Sequence, residues 1–310
     1  MKVAVLTGGV GGARFLRGLV DVLDPADVTA IVNVGDDLDV LGLHVSPDLD
    51  SVLYALAGLG DEERGWGRAD ETWNALESAA AFGGESWFKL GDRDIGLQLV
   101  RTQAMRAGEA LSQVTARLAA AAEIETVVLP ATDDVLRTWL DTPNGSFSFQ
   151  QWFVARGHRD PVDRVRFEGA AAAAAAPGVL DALLECDAIV VAPSNPYVSI
   201  GPILAVERIR RALDRRRVPC IAVSPLIGGR AVKGPAAEMM HRLQGGATPR
   251  HVSDCYPGLI DALVFDEADA EHADAVSGLG VRPVIARTLM ADAAARRRLA
   301  EVALDALAVA

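Results

Sequence analysis

Short apolar runs alternate with helical patterns at the start of the chain. Lys2–Thr7 and Val28–Val34 are brief, nearly continuous hydrophobic runs, as expected for strands buried on both faces of a parallel sheet. Between them, apolar residues recur at helical spacing from Phe15 to Leu23, which predicts a helix. Ser46 followed by Pro47 predicts the start of a second helix, because serine caps helices and proline suits the first helical position.

The same rhythm returns in the second half of the chain. Strands are predicted at residues 188–192, 218–223, 263–265 and 281–286, and helices at residues 202–213, 235–243 and 291–307. Strands that alternate with helices predict a mostly parallel sheet covered on both faces. We therefore expect a Rossmann-like α/β fold, with residues 1–310 forming a single domain.

The stretch from about residue 60 to residue 169 departs from this rhythm. It is rich in aromatic residues, and it predicts a helix around 111–122 and strands at 126–129, 135–142, 147–155 and 162–167. The last three strands are predicted to be antiparallel, and the alanine run at 170–176 is expected to be a plain helix or a linker. We expect the stretch 60–169 to be a smaller α+β insertion within the domain.

The charge of the chain excludes one large class of partners. It has 42 acidic residues against 30 lysines and arginines, a formal net charge of −12. A nucleic-acid binder needs a basic face to replace counterions, so no nucleic-acid partner is expected. No apolar run reaches the roughly 18 residues of a membrane span, and no signal-peptide pattern is present. We expect a cytoplasmic protein with small-molecule ligands and no membrane partner.

The loop after the first strand is rich in glycine. Gly8, Gly9, Gly11 and Gly12 lack side chains where a phosphate would approach backbone N–H groups, and the following helix N-terminus favours negative charge. The loop is not a nicotinamide fingerprint, because Arg14 stands in place of the third glycine, and no lysine follows to make a P-loop. A tight turn without a ligand is the alternative, which the density of glycine disfavours.

Four carboxylates follow the second strand within a short span: Asp36, Asp37, Asp48 and Asp50. Oxygen ligands of this kind suit Mg²⁺, and an acid after a second strand can instead bind a ribose hydroxyl. Asp48 and Asp50 also fall in the first turn of a predicted helix, where the helix dipole alone favours acids. The pattern predicts a metal or ribose site and leaves a structural role for Asp50 open.

Three further loops carry polar groups. Trp87–Asp94 offers two aromatic side chains to a flat ring and two cations to anions. Pro193–Pro202 offers Ser194 and Asn195 ahead of a helix N-terminus, and Ser224–Pro235 offers two further cations. Each loop could also be an ordinary turn or a capped helix start. With no catalytic triad or histidine metal spacing, these groups suit phosphoryl transfer, where positioning and charge neutralisation dominate.

Taken in order, these loops resemble the 2-phospho-L-lactate transferase family of coenzyme F-420 biosynthesis, and in particular its actinobacterial phosphoenolpyruvate transferase branch. The resemblance covers essentially the whole chain. The segments that carry it are Gly8–Arg14, Asn33–Asp37, Ser46–Asp50, Arg64–Gly67, Lys89–Asp94, Phe149–Trp152, Ala192–Pro196, Ser199–Pro202 and Ser224–Gly228.

The resemblance implies a reaction. A three-carbon acid linked to guanosine diphosphate, either enolpyruvate or lactate, is the donor, and the deazaflavin FO is the acceptor. The terminal ribityl hydroxyl of FO attacks the phosphate nearer the three-carbon unit, GMP leaves, and (dehydro) coenzyme F-420-0 forms. The resemblance further implies Mg²⁺ as cofactor, a homodimer, and an acceptor-side position for the stretch 60–169.

The resemblance also implies roles for individual residues. FO would lie against Asp50, Lys89, Gly91 and Asp92, with Asp50 also catalytic. Contact between FO and Trp87 is our own hypothesis, based on the aromatic side chain alone. The nucleotide would lie against Gly9, Gly11, Gly12, Ser194, Asn195, Pro196 and Gly228. The metal would be held by Asp36, Asp37 and Asp50.

Two other functions stay open at this point. A non-enzymatic, nucleotide-sugar-binding regulator of the same broad superfamily would share the glycine and Ser-Asn-Pro loops but would not need Lys89–Asp94. A nicotinamide-dependent dehydrogenase would need the missing third glycine. A measurement of FO binding through deazaflavin fluorescence distinguishes the transferase from both alternatives.

Overall fold

The computed structural model describes residues 1–308 of the chain. The strands are β1 (Val3–Thr7), β2 (Val28–Val32), β3 (Leu38–Val40), β4 (Leu43–Val45), β5 (Val127–Pro130), β6 (Arg137–Thr142), β7 (Gly145–Ser148), β8 (Arg164–Glu168), β9 (Ala188–Val191), β10 (Cys220–Val223), β11 (Leu226–Ile227), β12 (Arg230–Ala231), β13 (Ala262–Asp266) and β14 (Arg282–Ala286). The helices are α1 (Gly9–Leu19), α2 (Pro47–Leu56), α3 (Asn74–Ala81), α4 (Asp92–Arg106), α5 (Leu111–Ala121), α6 (Val179–Glu185), α7 (Gly201–Ala205), α8 (Glu207–Asp214), α9 (Ala236–Gln244), α10 (Pro249–Asp254), α11 (Ala273–Ser277) and α12 (Ala293–Ala308).

Seven strands pair in parallel in the order β14-β13-β10-β9-β1-β2-β5. Every residue of β1 is buried, which explains its continuous hydrophobic run. The chain first extends the sheet from β1 through β2 to β5, and it then returns to the other side of β1 with β9. The switch point of the sheet therefore lies between β1 and β9, where open parallel sheets bind ligands at the carboxyl ends of their strands.

Helices cover both faces of this sheet. On one face, α1, α2 and α12 contribute Phe15, Leu49 and Leu299 to a buried cluster. On the other face, α7 and α8 contribute Ile203 and Ile209 to a second cluster. The predicted Rossmann-like α/β fold, with a mostly parallel sheet and helices on both faces, is confirmed.

The irregular stretch 60–169 is divided between two sheets. β6, β7 and β8 form a separate antiparallel sheet, as predicted. β5 is instead an edge strand of the main sheet, and it pairs with β2. Through β5, part of the stretch is therefore hydrogen-bonded into the main sheet.

The predicted strand 147–155 is wrong beyond Ser148. A π-helical turn, Gln151–Ala155, follows β7. Helical spacing brings Phe149 and Phe153 together, with nearly parallel rings 5.3 Å apart. Trp152 is 2% exposed and donates from its indole N–H to the backbone oxygen of Asp160 at 2.9 Å. Burial of this aromatic cluster outweighs the strand propensity of its members.

The structure also decides the form of two further predicted segments, residues 202–213 and residues 170–176. The helix predicted at 202–213 is broken at Val206, whose extended backbone separates α7 from α8 and whose side chain is buried in the core. A π-helical turn, Pro196–Ile200, precedes α7. The alanine run 170–176 is a linker without regular structure, one of the two expected outcomes.

Within residues 1–308, none of the helices combines the length and hydrophobicity needed to cross a bilayer.

Candidate active site

The glycine loop and the Ser-Asn-Pro loop meet at the switch point between β1 and β9. Ser194 Oγ donates to the Gly8 carbonyl oxygen at 2.8 Å, and the Gly8 N–H donates back to that hydroxyl at 3.3 Å. A Cβ atom at Gly11 would lie 2.8 Å from the Pro193 oxygen, and one at Gly12 would collide with Ser194 Oγ. Contact between the two loops therefore requires glycine at positions 11 and 12, whether or not a ligand is bound.

The N-terminus of α1 already faces a carboxylate. Gly9 opens the helix with φ at +67°, a left-handed conformation that favours glycine. Its N–H is directed at the carboxylate of Asp48. The buried Asn33 positions that carboxylate, because its amide donates to Asp48 Oδ2 at 2.9 Å and to the Val198 oxygen at 3.2 Å.

Asp36 and Asp48 form a buried pair of carboxylates beside this helix end. Each is 5% exposed. Burial, followed by the charges of Asp37 and Asp50, raises the pKa of Asp48 to about 6. Burial, followed by the charge of Asp48, raises the pKa of Asp36 well above its usual range. Within residues 1–308 neither carboxylate has a basic partner at salt-bridge distance, so the ionised form of the pair is not compensated by the protein and requires a proton or a bound cation.

This pair has the character of a cation site. Asp36 Oδ1 is buried and has no hydrogen-bond partner. In the part of the chain that the structure describes, no three His, Cys, Asp or Glu side chains come together to hold a metal ion. Two carboxylates are nevertheless typical for Mg²⁺, which completes its shell with waters and substrate phosphates. The residues present therefore fit a divalent cation shared with a phosphate.

Asp50 lies in a different environment. Both of its carboxylate oxygens bind the guanidinium of Arg101, which is fully buried. Gln98 Nε2 donates to Asp50 Oδ2 at 2.7 Å. The negative charge of Asp50 is therefore balanced inside the protein.

One oxygen of Asp37 is occupied by protein groups, whereas Asp37 Oδ1 is buried and has no hydrogen-bond partner. Ser46 Oγ donates to Asp37 Oδ2 at 2.9 Å, and His44 Nε2 lies 3.2 Å from the same oxygen. The predicted helix start at Pro47 is confirmed, but Ser46 makes no side-chain cap because its hydroxyl is used by Asp37.

A large cleft lies along this edge of the sheet, with a volume of about 960 Å³. Ligand sites typically have about 300–1,000 Å³. Eight of the residues proposed from the sequence line it: Gly9, Gly11, Asp36, Asp50, Trp87, Lys89, Ser194 and Asn195. Six lie outside its lining: Gly12, Asp37, Gly91, Asp92, Pro196 and Gly228.

Asp92 and Gly228, like Asp37, have partners within the protein. The carboxylate of Asp92 accepts hydrogen bonds from Thr72 Oγ1 at 2.6 Å and from the Ala75 N–H at 2.9 Å, at the start of α3. These bonds, that of Thr72 first, lower the pKa of Asp92 to about 2. The Gly228 N–H donates to Asp269 at 2.8 Å, which leaves it engaged within the protein.

A comparison with known protein families identifies the chain. A model of the family described as 2-phospho-L-lactate transferase CofD matches residues 3–290. The chain belongs to this family. The resemblance inferred from the sequence motifs is thereby confirmed, and the chain is a transferase by family membership.

Members of the family from actinobacteria are similar over almost the whole chain. The phosphoenolpyruvate transferase of Streptomyces coelicolor is 42% identical over 310 residues, which cover 98% of this chain and 97% of that protein. The phosphoenolpyruvate transferase of Mycolicibacterium smegmatis is 39% identical and covers 98% of each chain.

Solved structures support the fold. The crystal structure of protein BH3568 from Bacillus halodurans has a TM-score of 0.66 at 19% identity and covers 98% of this chain and 99% of that one. A second crystal structure, described as a member of the UPF0052 family, has a TM-score of 0.64 at 18% identity.

The structure adds residues to the site of this family member that the sequence did not single out. Tyr54 lines the cleft and donates to Asp94 Oδ1 at 2.7 Å. Phe149 and Phe153 also line the cleft. One signal was available, because Asp50 and Tyr54 are four residues apart on one helix, as are Phe149 and Phe153 around the π-helical turn.

Proposed function

We propose that this chain transfers a phosphoenolpyruvyl or 2-phospho-L-lactyl group from its guanosine diphosphate-linked donor to the terminal ribityl hydroxyl of the deazaflavin FO. One observation carries the proposal: the uncompensated carboxylates Asp36 and Asp48 lie beside the glycine loop at the switch point of the sheet. Family membership and the similarity to actinobacterial phosphoenolpyruvate transferases support it.

The donor would occupy the switch point. Its diphosphate would lie along the glycine loop, near the N-terminus of α1 and close to Ser194 and Asn195. Asp36 and Asp48 would hold Mg²⁺, which supplies positive charge to neutralise the diphosphate and the departing phosphate. Asp48 would then be fully ionised, because a bound cation favours its charged form.

The acceptor would occupy the other part of the cleft. Trp87 and Phe88 line it with rings in edge contact, 5.7 Å apart, and Lys89 adds a positive charge. A planar deazaflavin ring suits such an aromatic surface. Asp50 would accept a hydrogen bond from the ribityl hydroxyl, since each carboxylate oxygen has two acceptor sites and Asp50 Oδ1 receives one donor, from Arg101.

The proposed reaction is a single displacement at phosphorus. The ribityl oxygen forms a bond to the phosphorus that carries the three-carbon unit, and the bond from that phosphorus to the bridging oxygen breaks. The hydroxyl proton is released, and GMP leaves with the bridging oxygen. Arg101 and Gln98 fix the orientation of Asp50, which places the hydroxyl for in-line attack.

The test begins with binding of the acceptor. Purified protein is titrated into FO while deazaflavin fluorescence is followed, and the donor and Mg²⁺ are then added with analysis of products by mass spectrometry. We expect FO binding, formation of (dehydro) coenzyme F-420-0 and one GMP for each product. Absence of FO binding would refute the acceptor, and binding without GMP release would favour a regulator. Competition between the enolpyruvate and lactate donors in the same assay identifies the natural group.

We further propose that the protein acts in the cytoplasm as a homodimer, as the resemblance implies. Light scattering during size-exclusion chromatography would then give about twice the chain mass of 32.6 kDa. A mass equal to one chain at assay concentration would contradict the dimer.

A further inference from the structure

Two positive side chains lie together at one edge of the cleft. Among the described residues, the basic side chains that line the cleft are Arg14, Lys89 and Lys233. Arg14 and Gly65 line one side pocket, and Lys233 Nζ binds the Gly65 backbone oxygen, so the two cations lie near one another. Burial, followed by the charge of Arg14, lowers the pKa of Lys233, in agreement with this geometry. Such an arrangement is unfavourable unless an anion joins it.

Neither cation is neutralised by the protein. Arg14 Nη2 donates to the Met290 oxygen at 2.8 Å. Lys233 Nζ donates to the backbone oxygens of Arg64 at 3.1 Å and Gly65 at 3.0 Å. In residues 1–308, Arg14 and Lys233 form no ion pair with a carboxylate, so backbone carbonyls hold both side chains in place and leave their charge available.

Two further arginines lie near Arg14, but both are paired with acids. A side pocket of about 160 Å³ opens next to the cleft, and Arg14, Arg17 and Arg296 all line it. Arg17 pairs with Asp21 at 3.3 Å, and Arg296 pairs with Glu62 at 2.7 Å. A hydrogen bond from Arg296 and then its charge lower the pKa of Glu62. Of these three arginines, Arg14 is therefore the one whose charge is not paired with a carboxylate of the described residues.

The distance from the glycine loop suits a second anionic group of the donor. Arg14 follows Gly9 on α1 by a little over one turn, which is about 7.5 Å along the helix axis. The guanidinium contacts the Met290 oxygen, and Arg14 and Met290 line the same cleft as Gly9 and Gly11. The donor of the proposed reaction has two anionic parts: a diphosphate, and a carboxylate on the three-carbon acid a few bonds away.

We propose that Arg14 and Lys233 bind the carboxylate of the donor's three-carbon acid, an inference that rests on the proposed function. The planar guanidinium of Arg14 matches a carboxylate in a two-point contact, and Lys233 adds a point charge. These residues select a nucleotide that carries a carboxylate over plain guanosine diphosphate or a neutral nucleotide sugar. Lys233 also ties residues 64 and 65 to the site, so that the loop around Trp66 lies over the bound acid.

The test compares two probes in the absence of FO, so that no turnover occurs. Guanosine diphosphate and guanosine diphosphate linked to L-lactate are titrated calorimetrically, with Mg²⁺, into the parent protein and into Arg14→Gln and Lys233→Gln. We expect each substitution to weaken binding of the lactate-linked probe by roughly 10- to 100-fold, the value of a charge-assisted hydrogen bond. Binding of guanosine diphosphate itself is expected to stay close to that of the parent.

Arg17→Gln is the matched control. Arg17 lies on the same helix and lines the side pocket, but it pairs with Asp21 at 3.3 Å and lies outside the cleft. It should leave both affinities unchanged, and Arg14→Lys should recover part of the lost affinity. In the complete assay, Arg14→Gln should raise the donor KM more than it lowers kcat.

The outcomes separate this inference from the proposed function. Equal weakening of both probes, or no weakening of either, overturns the carboxylate site while FO binding and turnover by the parent still support the transferase. If the parent binds neither probe, both the carboxylate site and the proposed function are overturned.

Discussion

Two groups of carboxylates at the same edge of the sheet differ in how their charge is balanced. Asp50 is paired with the fully buried Arg101 and with Gln98. Asp36 and Asp48 are equally buried, yet within the described chain they have no basic partner. A buried charge costs several kcal/mol unless it is paired, so the first group is complete in the folded chain and the second needs a proton or a cation.

The difference shows what a cluster of aspartates in a sequence can and cannot indicate. All four acids belong to one short stretch after β2, and all are compatible with a metal site by residue type. In the structure Asp50 is paired with the buried Arg101, and Asp37 Oδ2 accepts a hydrogen bond from Ser46. Asp36 Oδ1 and Asp37 Oδ1 are both buried without a hydrogen-bond partner, but Asp37 lies outside the lining of the cleft. Asp36 and Asp48, which line the cleft and have no cationic partner among the described residues, are therefore the better metal candidates.

Removal of the Arg101 charge that balances Asp50 should have the largest effect, and that effect is on stability. Arg101→Met leaves Asp50 buried without its cation, and we expect the free energy of unfolding to fall by about 3–5 kcal/mol. Urea denaturation followed by circular dichroism measures the change. The double variant Arg101→Met, Asp50→Leu should recover most of the loss, because it removes both charges. Loss of one partner of such a pair costs about 3 kcal/mol or more. If the free energy of unfolding of Arg101→Met lies within about 1 kcal/mol of that of the parent, a charge-balancing role for Arg101 is contradicted.

Altering the unbalanced group should affect turnover far more than stability. We expect Asp36→Asn to lower kcat on the order of 100-fold, as for loss of one strong electrostatic contact to a transition state, and to raise the Mg²⁺ concentration required. Steady-state kinetics over a range of Mg²⁺ concentrations measures both. Asp39→Asn is the control, since that side chain lies in the neighbouring hairpin and is 74% exposed. Unchanged Mg²⁺ dependence in Asp36→Asn would remove Asp36 from the metal site.

The pH dependence of stability sharpens the comparison. The pKa of Asp36 and that of Asp48 are raised in the folded protein, the latter to about 6. Their contribution to stability is therefore fully present below the unfolded-state pKa of about 4, and it is lost as pH rises through the folded-state pKa of each group, which is about 6 for Asp48.

Without ligand, Asp36→Asn should consequently melt about 2 °C higher than the parent at pH 7.5, and the difference should vanish near pH 4. Calorimetry at both pH values measures it, and saturating Mg²⁺ should narrow the gap at pH 7.5. A variant that melts below the parent at pH 7.5 would show that the carboxylate of Asp36 is already compensated.

The smallest effect is expected at Asp92. Its hydrogen bonds to Thr72 and Ala75 hold the start of α3, so Asp92→Asn should lower the melting temperature slightly and leave the KM for FO unchanged. Fluorescence titration and steady-state kinetics measure the two quantities. A clear rise in the KM for FO would instead place Asp92 in the acceptor site, as the resemblance implied.

The fold could be predicted from the sequence because its signals are local. The strand β1 is a continuous apolar run, and the glycine loop follows it directly. The break of a predicted helix at Val206 and the π-helical turn at Gln151–Ala155 could not be predicted, because burial of distant partners decides them.

The candidate site shows the same division. The loops in which Asp36, Ser194 and Lys89 stand in the sequence were enough to predict that these residues line the cleft. It could not show that Arg101, which lies 51 residues from Asp50, balances that carboxylate. Nor could it show that Gly228 donates its N–H to Asp269. Pairing between distant segments decides which predicted residues are free to meet a ligand.

The hydrogen bond between Gly8 and Ser194 has a consequence for how the protein folds. It joins residues 186 positions apart, and the central strand β1 gains its neighbour β9 from the same distant segment. Parallel pairing over such a separation is slow, because the chain must close a long loop before the contacts stabilise it. During synthesis, β1 therefore waits with one edge unpaired until β9 emerges, and an unpaired edge strand is prone to aggregation. A nascent chain that ends before residue 188 should have no nucleotide site, and its need for chaperones should fall sharply once β9 has been made.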